Sequence, residues 1–237
     1  MLPTRIVELL HPYLPNAPHS SQSSDDNAAV LSLTELNHIS TYIDILLRWN
    51  SRINLTAIRD PDEIVTRHFG ESLFVARQLF PTGAHARTDV LGRSAEQMPT
   101  PRVADIGSGA GFPGVPIKLW APDIALTLIE SNHKKATFLR EVARSLTLTD
   151  VNILSVRAEQ VAQRFDLVTL RAVERFAETL PHAARLLAPA ARLALLITAP
   201  QIKTARSILQ NVCWDAPLPI PGSKSRTLLV GRSEPRK

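Results

Sequence analysis

Val103-Ala104-Asp105-Ile106 runs directly into Gly107-Ser108-Gly109-Ala110-Gly111-Phe112-Pro113-Gly114, an apolar strand followed at once by a glycine-rich loop. Four of the chain's nine glycines fall within those eight loop residues, in a sequence that carries 18 prolines. Glycine in this position lets the backbone turn sharply and lets a ligand touch it with no side chain between. A helical stretch follows at 114–120, and a second strand at 126–130 ends in Glu130, placed to accept hydrogen bonds from a ribose diol. A glycine loop alone is a weak signal. Loop, strand, helix and acid in this order form a much stronger one, the alternative being a tight turn with an acid at a strand end.

Beyond this loop, short apolar runs alternate with helical patterns. Strands are predicted at 102–106, 126–130, 151–155, 166–171, 192–198, roughly 211–215 and 226–230, and helices near 114–120, 133–146, 176–187 and 201–209. Continuous apolar strands separated by helices indicate a parallel sheet covered on both faces. The expected fold is α/β: an open, doubly wound, Rossmann-like domain over residues 102–237 with a mostly parallel seven-stranded sheet.

Upstream, Ser32 and Glu35 have capping-box spacing, and Leu36, Ile39, Ile43, Leu46 and Leu47 follow at three- and four-residue steps. Asp60-Pro61-Asp62-Glu63 restarts the chain as a second helix, with a cap, a proline at the first position and acids in the first turn. That helix carries Ile64, Val65, Phe69 and Leu73 and runs to about Leu79. Residues 31–80 are thus predicted to form a small N-terminal helical domain. Residues 1–30, which pass into Ser20-Ser21-Gln22-Ser23-Ser24, read as a flexible leader, and the proline-broken stretch 81–101 as a linker or surface insertion.

Composition excludes several classes. With 44% hydrophobic and 21% charged residues, the chain can bury a core. Its single cysteine, Cys213, rules out an internal disulfide framework and a cysteine-based zinc cluster, and is itself expected to be a small core residue. No apolar run approaches the roughly 18 residues of a membrane span, and the start lacks the pattern of a secretory signal. The expectation is a soluble, cytoplasmic protein with no membrane association, no metal and no obligate protein partner. The net charge of +5 is C-terminal in origin: residues 200–237 carry Lys203, Arg206, Lys224, Arg226, Arg232, Arg236 and Lys237 against Asp215 and Glu234. Such an end is either a solvated terminus or a contact for a polyanion, nucleic acid first.

The glycine spacing narrows the ligand. Dinucleotide folds use G-x-G-x-x-G to bring a pyrophosphate to a helix N-terminus. Here the spacing is G-x-G-x-G after Asp105, which resembles the first motif of S-adenosylmethionine-dependent methyltransferases. The fourth strand ends Thr169-Leu170-Arg171-Ala172, without the Asn-Pro-Pro-aromatic motif by which enzymes that methylate exocyclic base amines resemble one another. Ring-carbon methylation of pyrimidines needs a cysteine nucleophile, and Cys213 lies on a late strand far from the loop. Guanine N7 fits what is left, since its lone pair is free and no proton must leave before attack. Catalysis is then mainly positioning. Arg171 suits guanine O6, a phosphate or the cofactor carboxylate, or else forms a structural ion pair.

Leu46-Leu47-Arg48-Trp49-Asn50, Ile53-Asn54-Leu55-Thr56, Arg67-His68 and the loop Asp105–Gly114 together resemble the bacterial small-subunit ribosomal RNA guanine-N7 methyltransferase (glucose-inhibited-division B) family. Glu130-Ser131, Lys134-Lys135, Phe138-Leu139, Arg157-Ala158-Glu159 and Arg171-Ala172 extend the likeness, which covers about residues 33–172 well and the remainder weakly. The resemblance implies methyl transfer from S-adenosylmethionine to a guanine N7 of small-subunit rRNA, acting on the RNA or on the small ribosomal subunit. By matching position it implies that Gly107, Ser108, Gly109, Gly111 and Phe112 contact the cofactor, that Glu130 takes its ribose and that Ala158 and Glu159 flank its adenine. Arg171 would be the catalytic residue at the junction of cofactor and substrate, with Asn54, Arg67, His68, Lys134 and Lys135 on the substrate side. Lys134 and Lys135 begin a helix, where cations oppose the dipole, so a phosphate partner is one explanation and a solvated helix end the other. His68 is assigned no proton transfer, because N7 methylation requires no base.

The sequence departs from the family at two places. The aspartate usual after Arg-His is absent from Phe69-Gly70-Glu71-Ser72, where Glu71 is the nearest acid, and after the fifth strand Thr198-Ala199 stands for the usual Lys-Gly, preceded by Ala188-Pro189-Ala190-Ala191 where a glycine turn is usual. These keep two alternatives open: a methyltransferase for another RNA or a small molecule, and an inactive cofactor-binding module.

Overall fold

The computed structural model describes residues 1–14, 31–81 and 99–233. Helices α1 (Pro3–Leu10), α2 (Leu33–Asn50), α3 (Pro61–Ile64) and α4 (Glu71–Leu79) precede the sheet, the last two joined by a π-helical segment, Val65–Gly70. Both predicted helix starts are present. Glu35 N–H donates to Ser32 Oγ at 3.2 Å while Ser32 N–H donates to Glu35 Oε2 at 2.6 Å, and Glu63 N–H donates to Asp60 Oδ1 at 2.9 Å.

The α/β part alternates β1 (Arg102–Ile106), α5 (Gly114–Trp120), β2 (Ala125–Ile129), α6 (His133–Ser145), β3 (Val151–Leu154), β4 (Phe165–Arg171), α7 (Phe176–Arg185), β5 (Leu187–Thr198) and α8 (Ala199–Ile208), and closes with β6 (Val212–Trp214), β7 (Leu218–Pro219) and β8 (Arg226–Ser233). The strands order as β3-β2-β1-β4-β5-β8-β6, with β7 on the side of β8. β1 to β5 are parallel, and β8 runs antiparallel to β5. The sheet therefore has eight strands rather than seven. The extra one, β7, is two residues long, too short to leave a periodic signal.

Strand alternation divides the core. Val103, Leu126, Leu128 and Leu167 face a layer built from α2, α4, α5, α6 and the π segment, whereas Ala104, Ile106, Val168 and Leu170 face α7 and α8. The N-terminal helices thus share one continuous core with the sheet and form a layer on one of its faces. Residues 3–10, expected within a flexible leader, are a helix with Ile6 and Leu10 buried, followed by buried Tyr13 and Leu14. Their apolar side chains close the helical layer, so the leader expectation fails for residues 1–14. Residues 15–30 and most of the expected linker lie outside the described residues.

Two further expectations change. Cys213 is exposed, because β6 is the outermost strand and turns Val212 and Trp214 inward and Cys213 outward. The basic C-terminal stretch is largely folded into α8 and β8, and Arg226 points inward to an ion pair with Glu71. No helix among the described residues is long and apolar enough to cross a membrane.

Candidate functional site

The carboxyl ends of β1, β2 and β4 open onto a cavity of about 720 Å³, roofed by Leu55, Thr56 and His68 from the helical layer. This is where open α/β sheets hold ligands. Gly107 and Ser108 donate their N–H groups to Ile129 O at 2.9 and 3.2 Å, tying the loop to the end of β2. Gly107, Gly109 and Gly111 have φ of +67°, +56° and +84°, a region that disfavours any residue with a Cβ.

Two of these glycines leave space for a ligand and one does not. A Cβ on Gly107 would meet only Val173 at 3.4 Å or beyond, and one on Gly109 only a backbone oxygen at 3.7 Å. Among the described residues nothing fills the room those positions leave over the cavity, which is the cradle an extended cofactor needs. A Cβ on Gly111 would lie 2.3 Å from Tyr42 Oη, so Gly111 makes way for Tyr42, whose hydroxyl donates to Ala110 O. Gly111, expected to contact the cofactor, is not among the residues that line the cavity.

Glu130 is buried at the lip of the cavity. Its Oε2 accepts Gly109 N–H at 2.9 Å and its Oε1 accepts Asn132 N–H at 2.7 Å. Each oxygen keeps a second lone pair, enough for a diol. Below the loop, Asp105 accepts Thr169 Oγ1–H at 2.8 Å and Gly114 N–H at 3.3 Å, and burial pushes its carboxyl up to about 7. On the far side, Ala158 and Glu159 form a short 3-10 turn whose carbonyls accept Arg185 Nη2 at 3.2 and 2.7 Å.

Arg171, the last residue of β4, is buried and faces the π segment. Its Nη1 donates to Ser72 Oγ at 3.1 Å and His68 O at 3.4 Å; its Nη2 donates to Arg67 O at 2.5 Å and pairs with Glu71 Oε2 at 3.0 Å. Burial lowers its pKa to about 10, so it stays charged at neutral pH. Among the described residues its Nε–H has no acceptor, while the residue lines the cavity. Arg171 thus forms the structural ion pair and retains one donor beside the cavity.

His68 stacks on Phe112 with ring centroids 4.6 Å apart and planes at 14°, and Phe112 stacks in turn on Tyr42 at 5.3 Å. Burial and, after it, the Arg171 charge lower the His68 pKa to about 3, so the ring is neutral. Its Nε2 meets Thr56 Oγ1 at 2.8 Å. Thr56 is held in place from the motif preceding it: Asn50 Oδ1 accepts the N–H groups of Leu55 and Thr56 at 3.0 and 3.1 Å, and Asn50 Nδ2 donates to Thr56 O at 2.9 Å. Arg48 and Trp49 both reach Glu141, docking α2 on α6.

Of the other predicted residues, Ser108 and Lys135 line the cavity, although Ser108 Oγ–H is engaged with Asp105 O at 2.8 Å. Asn54 is exposed beyond the turn braced by Asn50, and Lys134 is exposed on the first turn of α6; neither lines the cavity. The Arg67 side chain pairs with Glu63 at 2.8 Å at the surface and gives the site only its carbonyl. Sequence reasoning missed Thr56, His182 and Arg157 as lining residues. Thr56 and Arg157 lay inside the quoted motifs, whereas nothing in the sequence marks His182, which faces Glu159 at 3.6 Å. Thr198, in place of the usual lysine, caps α8 through Gln201.

A family model described as rRNA small subunit methyltransferase G matches residues 35–206. A protein of that name from Aquifex aeolicus is 45% identical over 139 residues, which cover 59% of this chain and 64% of that protein. One from Xylella fastidiosa is 42% identical over 135 residues, covering 56% and 55%. The chain therefore spans less than two thirds of the length of these two relatives. One from Chloroflexus aggregans is 34% identical over 213 residues, covering 84% and 82%. Among solved structures, magnesium protoporphyrin IX methyltransferase from Synechocystis PCC 6803 with bound SAM superposes with a TM-score of 0.59 at 14% identity, over 83% of this chain and 97% of that one. Ribosomal protein L11 methylase from Lactobacillus delbrueckii subsp. bulgaricus does so at 0.55 and 15%, over 71% and 80%. At such identities the likeness concerns the fold: a Rossmann-like methyltransferase fold.

Proposed function

Because the chain belongs to the rRNA small subunit methyltransferase G family, we propose that it transfers the methyl group of S-adenosylmethionine to N7 of a guanine in small-subunit rRNA. The observation that carries this reading is the pair of bare glycines, Gly107 and Gly109, held at positive φ over a cavity left open by the described residues. The bound cofactor supplies an electrophilic methyl group on a cationic sulfur. Glu130 takes the ribose hydroxyls on its two remaining lone pairs, and the turn at Ala158–Glu159 borders the adenine. A cofactor held in this way would leave Arg171, His68 and Thr56 to face the methyl acceptor.

The residues at that end are built for positioning. His68 is neutral, engaged at Nε2 by Thr56 and flanked at Nδ1 by the Arg171 guanidinium, so it is not a proton-transfer group at neutral pH. Guanine N7 attacks with its free lone pair, and no base is required. Transfer of the methyl group from the cofactor's sulfur to N7 would carry the positive charge to the base, so no residue of the chain needs to supply or remove a proton. Arg171, fixed by Glu71, contributes its Nε–H to a carboxylate or carbonyl without approaching N7 itself. The rim residues Lys135 and Arg157 meet RNA phosphates. On this reading the protein works in the cytoplasm, on the small ribosomal subunit or its rRNA.

The test is incubation of the purified protein with methyl-labelled S-adenosylmethionine and small subunits from a strain lacking the modification, followed by digestion to nucleosides. Label in 7-methylguanosine is expected. Cofactor bound but label in another nucleoside, or in none, would reject the N7 assignment.

A further inference from the structure

Hydrogen-bond accounting at the roof of the cavity singles out Thr56. Its hydroxyl oxygen accepts Ile58 N–H at 3.1 Å and meets His68 Nε2 at 2.8 Å. Which partner donates in the second contact is decided one residue further on. His68 Nδ1 lies 3.4 Å from Arg171 Nη2, whose two protons already go to Arg67 O and Glu71 Oε2, and a guanidinium offers no acceptor to a proton on Nδ1. Nδ1 must therefore present its lone pair there, which leaves the ring proton on Nε2. That proton goes to Thr56 Oγ1. A hydroxyl oxygen has two lone pairs, and both are then occupied. What Thr56 has left is its own proton, and Thr56 lines the cavity. The ring that imposes this arrangement is stacked on Phe112 and flanked by Arg171.

We propose that Thr56 is the residue that selects guanine, donating its hydroxyl proton to O6 of the base whose N7 receives the methyl group. This rests on the guanine reading above and deepens it. Guanine offers two adjacent acceptors on that edge, N7 and O6; adenine offers N7 beside an amino group, which only donates. A hydroxyl free to rotate could serve either base. One whose lone pairs are filled by Ile58 and His68 can satisfy only the carbonyl, and sets donor against donor when adenine enters. Arg171 and His68 act here as positioning residues, fixing the direction of a proton they do not touch.

The experiment compares subunits with guanosine at the modified position, once mapped, against subunits whose rRNA carries adenosine there, using wild-type protein, Thr56→Val and Thr56→Ser. Wild type should strongly favour guanosine. Thr56→Val should lose about tenfold on guanosine and narrow the guanosine-to-adenosine ratio by about 10- to 100-fold, with cofactor affinity unchanged; Thr56→Ser, which keeps the hydroxyl, should restore the ratio. Comparing ratios between proteins divides out the weaker nucleophilicity of adenine N7. An unchanged ratio in cofactor-binding Thr56→Val overturns the proposal. If that variant does not fold, wild-type protein methylating both subunits at similar rates overturns it as well. Absence of 7-methylguanosine with wild-type protein rejects the underlying reading, a result distinct from 7-methylguanosine formed with an unchanged ratio.

Discussion

Arg171 and Glu71 form a buried ion pair, Nη2 to Oε2 at 3.0 Å, with side chains only 5% and 3% exposed. The same carboxylate oxygen takes Arg226 Nη1 at 2.6 Å. β4 ends at Arg171 and antiparallel β8 begins at Arg226, so both arginines emerge at one end of the sheet, on either side of β5. Glu71 thereby clips the π segment to two strands at the cavity mouth. Removing one partner of a buried pair leaves charge uncompensated, which costs about 3–5 kcal/mol. Glu71→Gln should accordingly melt roughly 10 °C lower, Glu71→Asp by less. Melting near the parental temperature for Glu71→Gln would mean the two arginines find water or each other's surroundings adequate.

The depressed pKa of His68 has a definite sign. Folded, the ring gains a proton only near pH 3; unfolded, near 6.5. Between these values the unfolded chain binds the extra proton, so stability is intact above 6.5 and falls as pH drops below it, by up to about 1.4 kcal/mol per unit. Because Asp105 contributes an opposite slope over much of this range, the comparison with a variant isolates His68: in urea unfolding His68→Gln should gain on wild type, by up to about 2 kcal/mol, as the pH falls from 7.5 to 5.

Asp105 works in the opposite direction. Its folded carboxyl keeps a proton up to about 7 because burial penalises the charge, whereas the unfolded value is 3.8. The folded state binds more protons in between, so this contribution is present below 3.8 and is lost as pH rises to 7. Asp105→Asn mimics the protonated acid and should gain on wild type from pH 4.5 to pH 7.5. A stability difference independent of pH would show that Asp105 is ionised throughout.

Much of this was legible because local rules and the fold agree. Ser32 with Glu35, Asp60 with Pro61, and the strand running into Gly107 are signals contained within a few residues. The π segment is different. A helix over 61–79 was readable, but the shift at Val65–Gly70 alters the register too little to disturb the apolar spacing, and the carbonyls of Arg67 and His68 are taken by Arg171, more than 100 residues away. Lys118 is another such case: its ammonium is buried against Pro122 O and Ile124 O at 2.6 Å each, and no local pattern in the sequence marks it. The loop glycines were recognised as a group, yet only the packed structure separates those that border open space in the cavity from the one that faces Tyr42.

That separation predicts opposite behaviour for one substitution at two positions. Gly107→Ala carries a left-handed strain of about 1–2 kcal/mol but meets no protein atom closer than 3.4 Å, so the protein should fold and lose cofactor affinity by calorimetry. Gly111→Ala would drive a methyl group to 2.3 Å from Tyr42 Oη and displace the ring stacked on Phe112. Its defect should be in folding, by about 3 kcal/mol or more. Full cofactor affinity in a folded Gly107→Ala would place the ligand elsewhere.

Ala190 offers a gain. It lies in Ala188-Pro189-Ala190-Ala191, the stretch that stands where relatives are expected to have a glycine turn, and it is exposed with φ +59°. The pairing register of β4 and β5 shifts across this stretch, from Phe165 opposite Leu187 to Leu167 opposite Arg192, so the extra residues bulge outward and one of them turns left-handed. An alanine there is strained by about 1–2 kcal/mol, while glycine loses about 0.5–1 kcal/mol more backbone entropy on folding. Ala190→Gly should therefore raise stability by up to about 1 kcal/mol in urea unfolding and leave methyl transfer unchanged, since the bulge lies at the start of β5 and the cavity opens at the far ends of the strands. A less stable Ala190→Gly would mean that the entropy loss outweighs the strain and that the alanine is at ease in its turn.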